Sequence, residues 1–174
     1  MNSIAATLLP GAKIAKNYLE SLVKDIPEDV FSRIPRVSDT EITANHAAFH
    51  IGHLALYPAK TALLLELDQS DVSAPDNYEA LFLKGTACVD DPEGNVYPIK
   101  AELCQQCFST WDKIFAMLPE VSDEVFLKDN PIEAARDRFQ TAGQFASFLL
   151  HAHTMVHCGQ ISTLRRVLGL PSLF

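Results

Sequence analysis

"HTMVHCGQISTLRRVLGLP", residues 153–171, reads as the second half of a long helix together with its stop. Successive helical residues turn by ~100°, so positions four apart stand one turn above the other on one face. His153 and His157 have that relation, and Gln160 continues their stripe. Arg165 and Arg166 complement the carbonyl end of the helix dipole. Gly169, followed by Pro171, ends the element. Upstream, the helical pattern extends back to about Ala142. An H-x-x-x-H pair on a helix lets two imidazoles share one metal ion. His151 points to the other side of the helix and reads as structural.

The remaining histidines lie in "NHAAFHIGH", residues 45–53, and no histidine lies outside that stretch and residues 151–157. His46, His50 and His53 are spaced i, i+4, i+7 and share one face within ~60°. They belong to a second helix expected over about Thr43 to Leu67, with Ser38, Asp39 or Thr40 as candidate caps. Pro58 lacks an N–H and collides with the carbonyl of Leu54, which predicts a kink one turn after His53. Any one of the three histidines could meet the pair from the last helix. Three protein ligands and one open position are usual for a catalytic metal site.

The distribution of carboxylates narrows the chemistry. No Asp or Glu occurs from Thr43 to Leu65, and none follows Asp137. A di-iron carboxylate site takes Glu from its helices, and a hemerythrin-like site takes bridging carboxylates, so neither fits. An all-imidazole set suits zinc, nickel, iron or copper and not magnesium or calcium.

Two more helices follow from apolar periodicity. The first runs from about Ile4 to Ile26, with Pro10 delaying the regular helix until Gly11 and a stripe of Ile14, Tyr18, Ser21 and Leu22. The third runs from about Pro98 to Leu118, with Leu103, Cys107, Trp111, Ile114 and Leu118 facing inward. The stretch after the first helix reads as a short helical turn and a loop. Residues 68–97 are too long for a plain connection, so they hold a short helix near Tyr78–Leu83 or cross the bundle. Residues 119–141 connect onward, with a helical turn at Ile132–Asp137. The expected fold class is all-α, a four-helix bundle with long crossover connections, in one domain over residues 1–174.

Composition excludes several roles. A net charge of −8 over 174 residues is wrong for a nucleic-acid binder or for an anionic membrane surface. No uninterrupted apolar stretch reaches the ~18 residues of a lipid-spanning helix. "MNSIAATLLPGAK" has no basic residue ahead of its apolar run, against a signal peptide, so a cytoplasmic location is expected. Cys88, Cys104, Cys107 and Cys158 read as thiols, and the C-x-x-C of Cys104 and Cys107 as small apolar residues on a helix.

"GHLALY" at 52–57 and the 153–171 segment together resemble the DinB-like superfamily of four-helix bundles. That family has a His in a G-H-L-A context on its second helix. Its last long helix has H-x-x-x-H, then G-Q-[IL]-x-x-x-[RL]-R-x-x-G. "EALFLKGTACVDDPEGNVYP" at 79–98 is similar to the crossover of some members, so the likeness covers most of the chain. It implies that His53, His153 and His157 ligate a divalent transition metal, with zinc, nickel and iron the candidates, and that the protein is a homodimer. His46 and His50 are additional to the family pattern, and either could replace His53 or enlarge the site.

The resemblance further implies a metal-dependent enzyme acting on a small molecule. The expected reaction is a transfer or isomerisation using a low-molecular-weight thiol, or a hydrolysis. The metal would lower the pKa of a bound water or thiol. His50, one turn from His53, is the candidate proton shuttle. Asn45 or Gln160 could orient a ligand's second ring nitrogen, and His46 falls to an outer-layer or pocket role. The alternative is a non-catalytic, stress-related bundle that binds a metal or a small molecule.

Overall fold

The computed structural model describes residues 3–173, most of them helical. Helix α1 spans Ser3–Lys24, and a single turn, α2, spans Glu28–Phe31. A two-residue antiparallel ladder pairs β1, Arg36–Val37, with β2, Thr40–Glu41. Helices α3, Ala47–Ala55, and α4, Tyr57–Leu64, follow almost without a break. Helix α5, Tyr78–Phe82, lies in the long crossover, and α6 spans Lys100–Met117. Helix α7, Asp123–Leu127, precedes the last helical run of α8, Ala142–Ser147, a π-helical segment, Phe148–His153, and α9, Thr154–Val167.

Helix α1 packs against α6 and α9, and α3 against α5, α6 and α9. The buried apolar side chains of these elements join into one cluster. The inward stripe expected for α6 is seen: Leu103, Cys107, Trp111, Ile114 and Leu118 are all buried. On α1 the expected stripe is buried only in part, at Leu22. Ile14 is 69% exposed, and the buried face is Ala5, Leu9, Ala12, Ala15, Leu19 and Leu22. Alanines on that face have no side-chain bulk to hold α6 and α9 away. Pro10 does not delay α1, which runs through it from Ser3. Ala6 and Pro10 lie on the exposed face, where water can take the carbonyl that loses its partner. Asp123 of α7 caps α1, accepting from the backbone N–H groups of Ser3 at 3.2 Å and Ile4 at 3.0 Å.

The second helix begins later than Thr43. Residues 36–37 and 40–41 are paired in the ladder with Ser38 and Asp39 in the turn between them, and the Ile42 N–H donates to the Pro35 carbonyl at 2.8 Å. The cap is therefore His46, whose Nδ1 accepts from the Phe49 N–H at 3.1 Å, rather than Ser38, Asp39 or Thr40. The break predicted at Pro58 falls at Leu56, between α3 and α4. Regular helix stops at Leu64, before the expected Leu67.

The last helix is not a uniform α-helix. Ala146, Leu150, Thr154 and Cys158 are buried at steps of four. In an α-helix such a row drifts by ~40° per step. The wider turns of the π segment absorb part of that drift and keep the row facing the core. Thr154 Oγ1 donates back to the Leu149 carbonyl at 3.1 Å, five residues earlier. At its far end Arg165, 1% exposed, donates to the carbonyls of Leu22 and Pro171 and to the Asp25 carboxylate.

Candidate metal centre

The two histidine stretches meet where α3 packs on α9 and the π segment. One ring nitrogen from each of His53, His153 and His157 lies within 4.8 Å of the other two. His53 comes from the last turn of α3, His153 closes the π segment, and His157 stands one turn into α9.

Hydrogen bonds fix which nitrogens carry lone pairs. His53 Nδ1 lies 2.7 Å from the carbonyl oxygen of Phe82. A carbonyl can only accept, so Nδ1 carries the hydrogen and Nε2 the lone pair. The Tyr57 hydroxyl, 3.1 Å away, donates to that lone pair. His157 Nδ1 lies 2.9 Å from His50 Nδ1, and His157 Nε2 lies 3.2 Å from His153 Nε2. Each of these contacts requires one hydrogen. The second nitrogen of His153, Nδ1, is buried with no hydrogen-bond partner. Such an orphan costs about 1–3 kcal/mol, a cost that native structures concentrate at functional places.

Electrostatics keep the imidazoles neutral. Burial pushes His153 down to about 4 and His157 to about 2, and it lowers His53 as well. The nearby charge of Lys60 adds to the lowering at His53 and His153. Neutral rings offer lone pairs without first losing a proton. Three neutral imidazoles converge with no carboxylate among them, and this donor set fits a divalent transition metal.

The other expected residues take distinct places. His50 is buried, held down to about 4 by desolvation, and spans from His157 to a cavity of about 540 Å³. Asn45 and Gln160 sit on the wall of that cavity with Val156, Gly159 and Thr163. Among the described residues neither side chain hydrogen-bonds a histidine ring; the outer nitrogens of His53 and His157 are held by Phe82 and His50 instead. His46 turns away from the cluster. Besides capping α3, its Nε2 donates to the Val89 carbonyl at 3.1 Å, and its ring lies 4.7 Å from that of Tyr97. His151 reaches α1, with Nε2 2.9 Å from the Leu8 carbonyl oxygen.

The cysteines stay apart from this chemistry. All four are free thiols. Burial pushes Cys104 up to about 11 and Cys158 to about 12, and Cys158 packs against the Ala15 carbonyl. Three contributors escape the sequence reading. Tyr57 and Lys60 extend the α3 stripe by i+4 and i+7 from His53, a spacing visible in the sequence. Phe82 acts through a backbone carbonyl, which no residue type announces.

No family model, curated protein or solved structure matches this chain. Fold and site by themselves define a class: a mostly helical chain with a partly buried three-histidine group able to hold a metal ion.

Proposed function

We propose that this chain is a divalent-metal-dependent enzyme of the DinB-like type, with His53, His153 and His157 as ligands. The observation that carries the reading is the convergence of three neutral ring nitrogens within 4.8 Å on a carboxylate-free helix pair. The pairwise packing of α1, α3 with α4, α6, and α8 with α9 supports a four-helix bundle around that group.

A bound zinc, nickel or iron ion would supply acidity to a coordinated water or thiol. The chain's residues do the rest. Phe82 orients His53 through its carbonyl, and His50 orients His157. His50 also joins His157 to the cavity, which supports its reading as the shuttle that moves a proton outward from the site. The reaction is a transfer to or from a low-molecular-weight thiol, or a hydrolysis, on a small-molecule substrate. The proposal includes a homodimer, which analytical ultracentrifugation tests directly.

Elemental analysis of protein purified without an affinity tag, followed by zinc titration of the metal-free form, tests the ligand set. Stoichiometric metal that His153→Ala abolishes supports it. A wild-type protein that takes up neither zinc, nickel nor iron overturns it. Turnover of thiol-transfer or hydrolysis substrates by the loaded protein then separates an enzyme from a metal-binding module.

A further inference from the structure

The three histidines are neutral, and the only charged side chain acting on the centre from α3–α4 is a cation. The Lys60 ammonium lies 5.5 Å from the centroid of the Tyr57 ring, and its charge bears on both His53 and His153. Among the described residues no carboxylate pairs with Lys60, although the chain has 22 Asp and Glu against 14 Lys and Arg. Tyr57 stands between this cation and the cluster. Its ring lies 4.3 Å from that of His153, and its hydroxyl donates to His53 Nε2. That lone pair is the one a metal would take, which frees the hydroxyl to donate elsewhere.

A divalent ion held by neutral ligands keeps its full charge, and a lysine beside it raises the local excess further. Burying uncompensated charge is costly unless an opposite charge joins it. Helices α3 and α4 and the run from α8 to α9, which carry the cluster, hold no Asp or Glu, so an incoming group must supply that charge.

We propose that Tyr57 and Lys60 select the ligand class of this centre: the group that binds beside His53 and His153 is a small anionic donor, a thiolate or a carboxylate. Lys60 supplies charge complementarity and Tyr57 a hydroxyl donor. This inference rests on the metal-site reading above.

Cobalt(II)-loaded protein tests it, with visible absorption reporting on added azide, acetate and mercaptoacetate, and on imidazole as a neutral probe. Lys60→Met is expected to weaken the three anions by about tenfold, to leave imidazole within about twofold, and to leave cobalt affinity equal or higher, since a like charge has been removed. Lys60→Arg should restore anion binding. Tyr57→Phe should weaken anions by severalfold without loss of cobalt. Equal anion affinities in wild type and Lys60→Met overturn the proposal, as does an equal loss for imidazole. Failure of the wild type to bind cobalt overturns the metal-site reading itself, and is distinct from either result.

Discussion

The Nδ1 of His53 lies 2.7 Å from the carbonyl oxygen of Phe82, so a residue of the crossover sets the tautomer of a residue on α3. The same Phe82 ring fills the space over Gly52, where an added Cβ would come within 2.5 Å of it. Gly52→Ala should therefore push Phe82 outward. The expected cost is about 1–3 kcal/mol, or a melting temperature lower by roughly 3–10 °C. Zinc affinity should fall with it, as measured by calorimetric titration, because the carbonyl moves with its ring.

His46 and His153 should separate cleanly by mutation. His153→Ala removes a proposed ligand and should lower zinc affinity by at least about 100-fold, with modest effect on folding. His46→Ala removes a cap and the link to Val89. It should cost about 1–2 kcal/mol of stability and leave zinc stoichiometry unchanged. Paired urea denaturation and metal titration of the two variants read out the contrast.

Acid should destabilise the metal-free protein in a definite window. Burial holds His46, His50 and His153 at about 4 and His157 at about 2, against about 6.5 in the unfolded chain. Between pH 4 and 6.5 the unfolded chain binds more protons than the folded one, so stability rises with pH there and levels off above about 7. Urea midpoints across pH 4–8 check this. His46→Gln should flatten the slope inside the window by up to about 1.4 kcal/mol per pH unit.

Arg165 is a tether unrelated to the metal. Its guanidinium is buried against Asp25, the Leu22 carbonyl of α1 and the Pro171 carbonyl six residues further on. Arg165→Leu should cost about 2–4 kcal/mol in thermal or urea unfolding by releasing α1 from α9 and the C-terminal segment, while zinc affinity stays unchanged. Arg165→Lys should recover little, since an ammonium cannot serve the same fork of acceptors.

Period reveals helices well and partners poorly. The long helical segments and the pairing of His153 with His157 are legible because helical spacing puts those side chains on defined faces, whereas spacing leaves His46, His50 and His53 as equal candidates for the third position and only the family resemblance singles out His53. The α1 stripe is legible only in part, at Leu22, because alanines look neutral in an apolar pattern, yet they line its buried face, while large Ile14 stays outside. The β1–β2 ladder is set by backbone bonds over two residues, too short to imprint a pattern. His46 shared the stripe of His50 and His53 in projection, but as the cap it sits outside the helical geometry that the projection assumes. The Phe82 carbonyl and the orphaned His153 Nδ1 are products of long-range packing, and no local rule reaches them.

The π segment between α8 and α9 carries more residues per turn than the helices on either side. Its six residues advance about as far round the axis as five residues of an ordinary helix, so the same number of residues wound as α-helix would rotate everything after them by roughly 100° relative to α8. His157 would swing off the cluster, and Cys158 and Ile161 would leave the core with it. The meeting of the three imidazoles is thus encoded in a residue count as much as in residue identity. A surplus of chain works as an indexing step, and a substitution-only survey of the helix would never expose it.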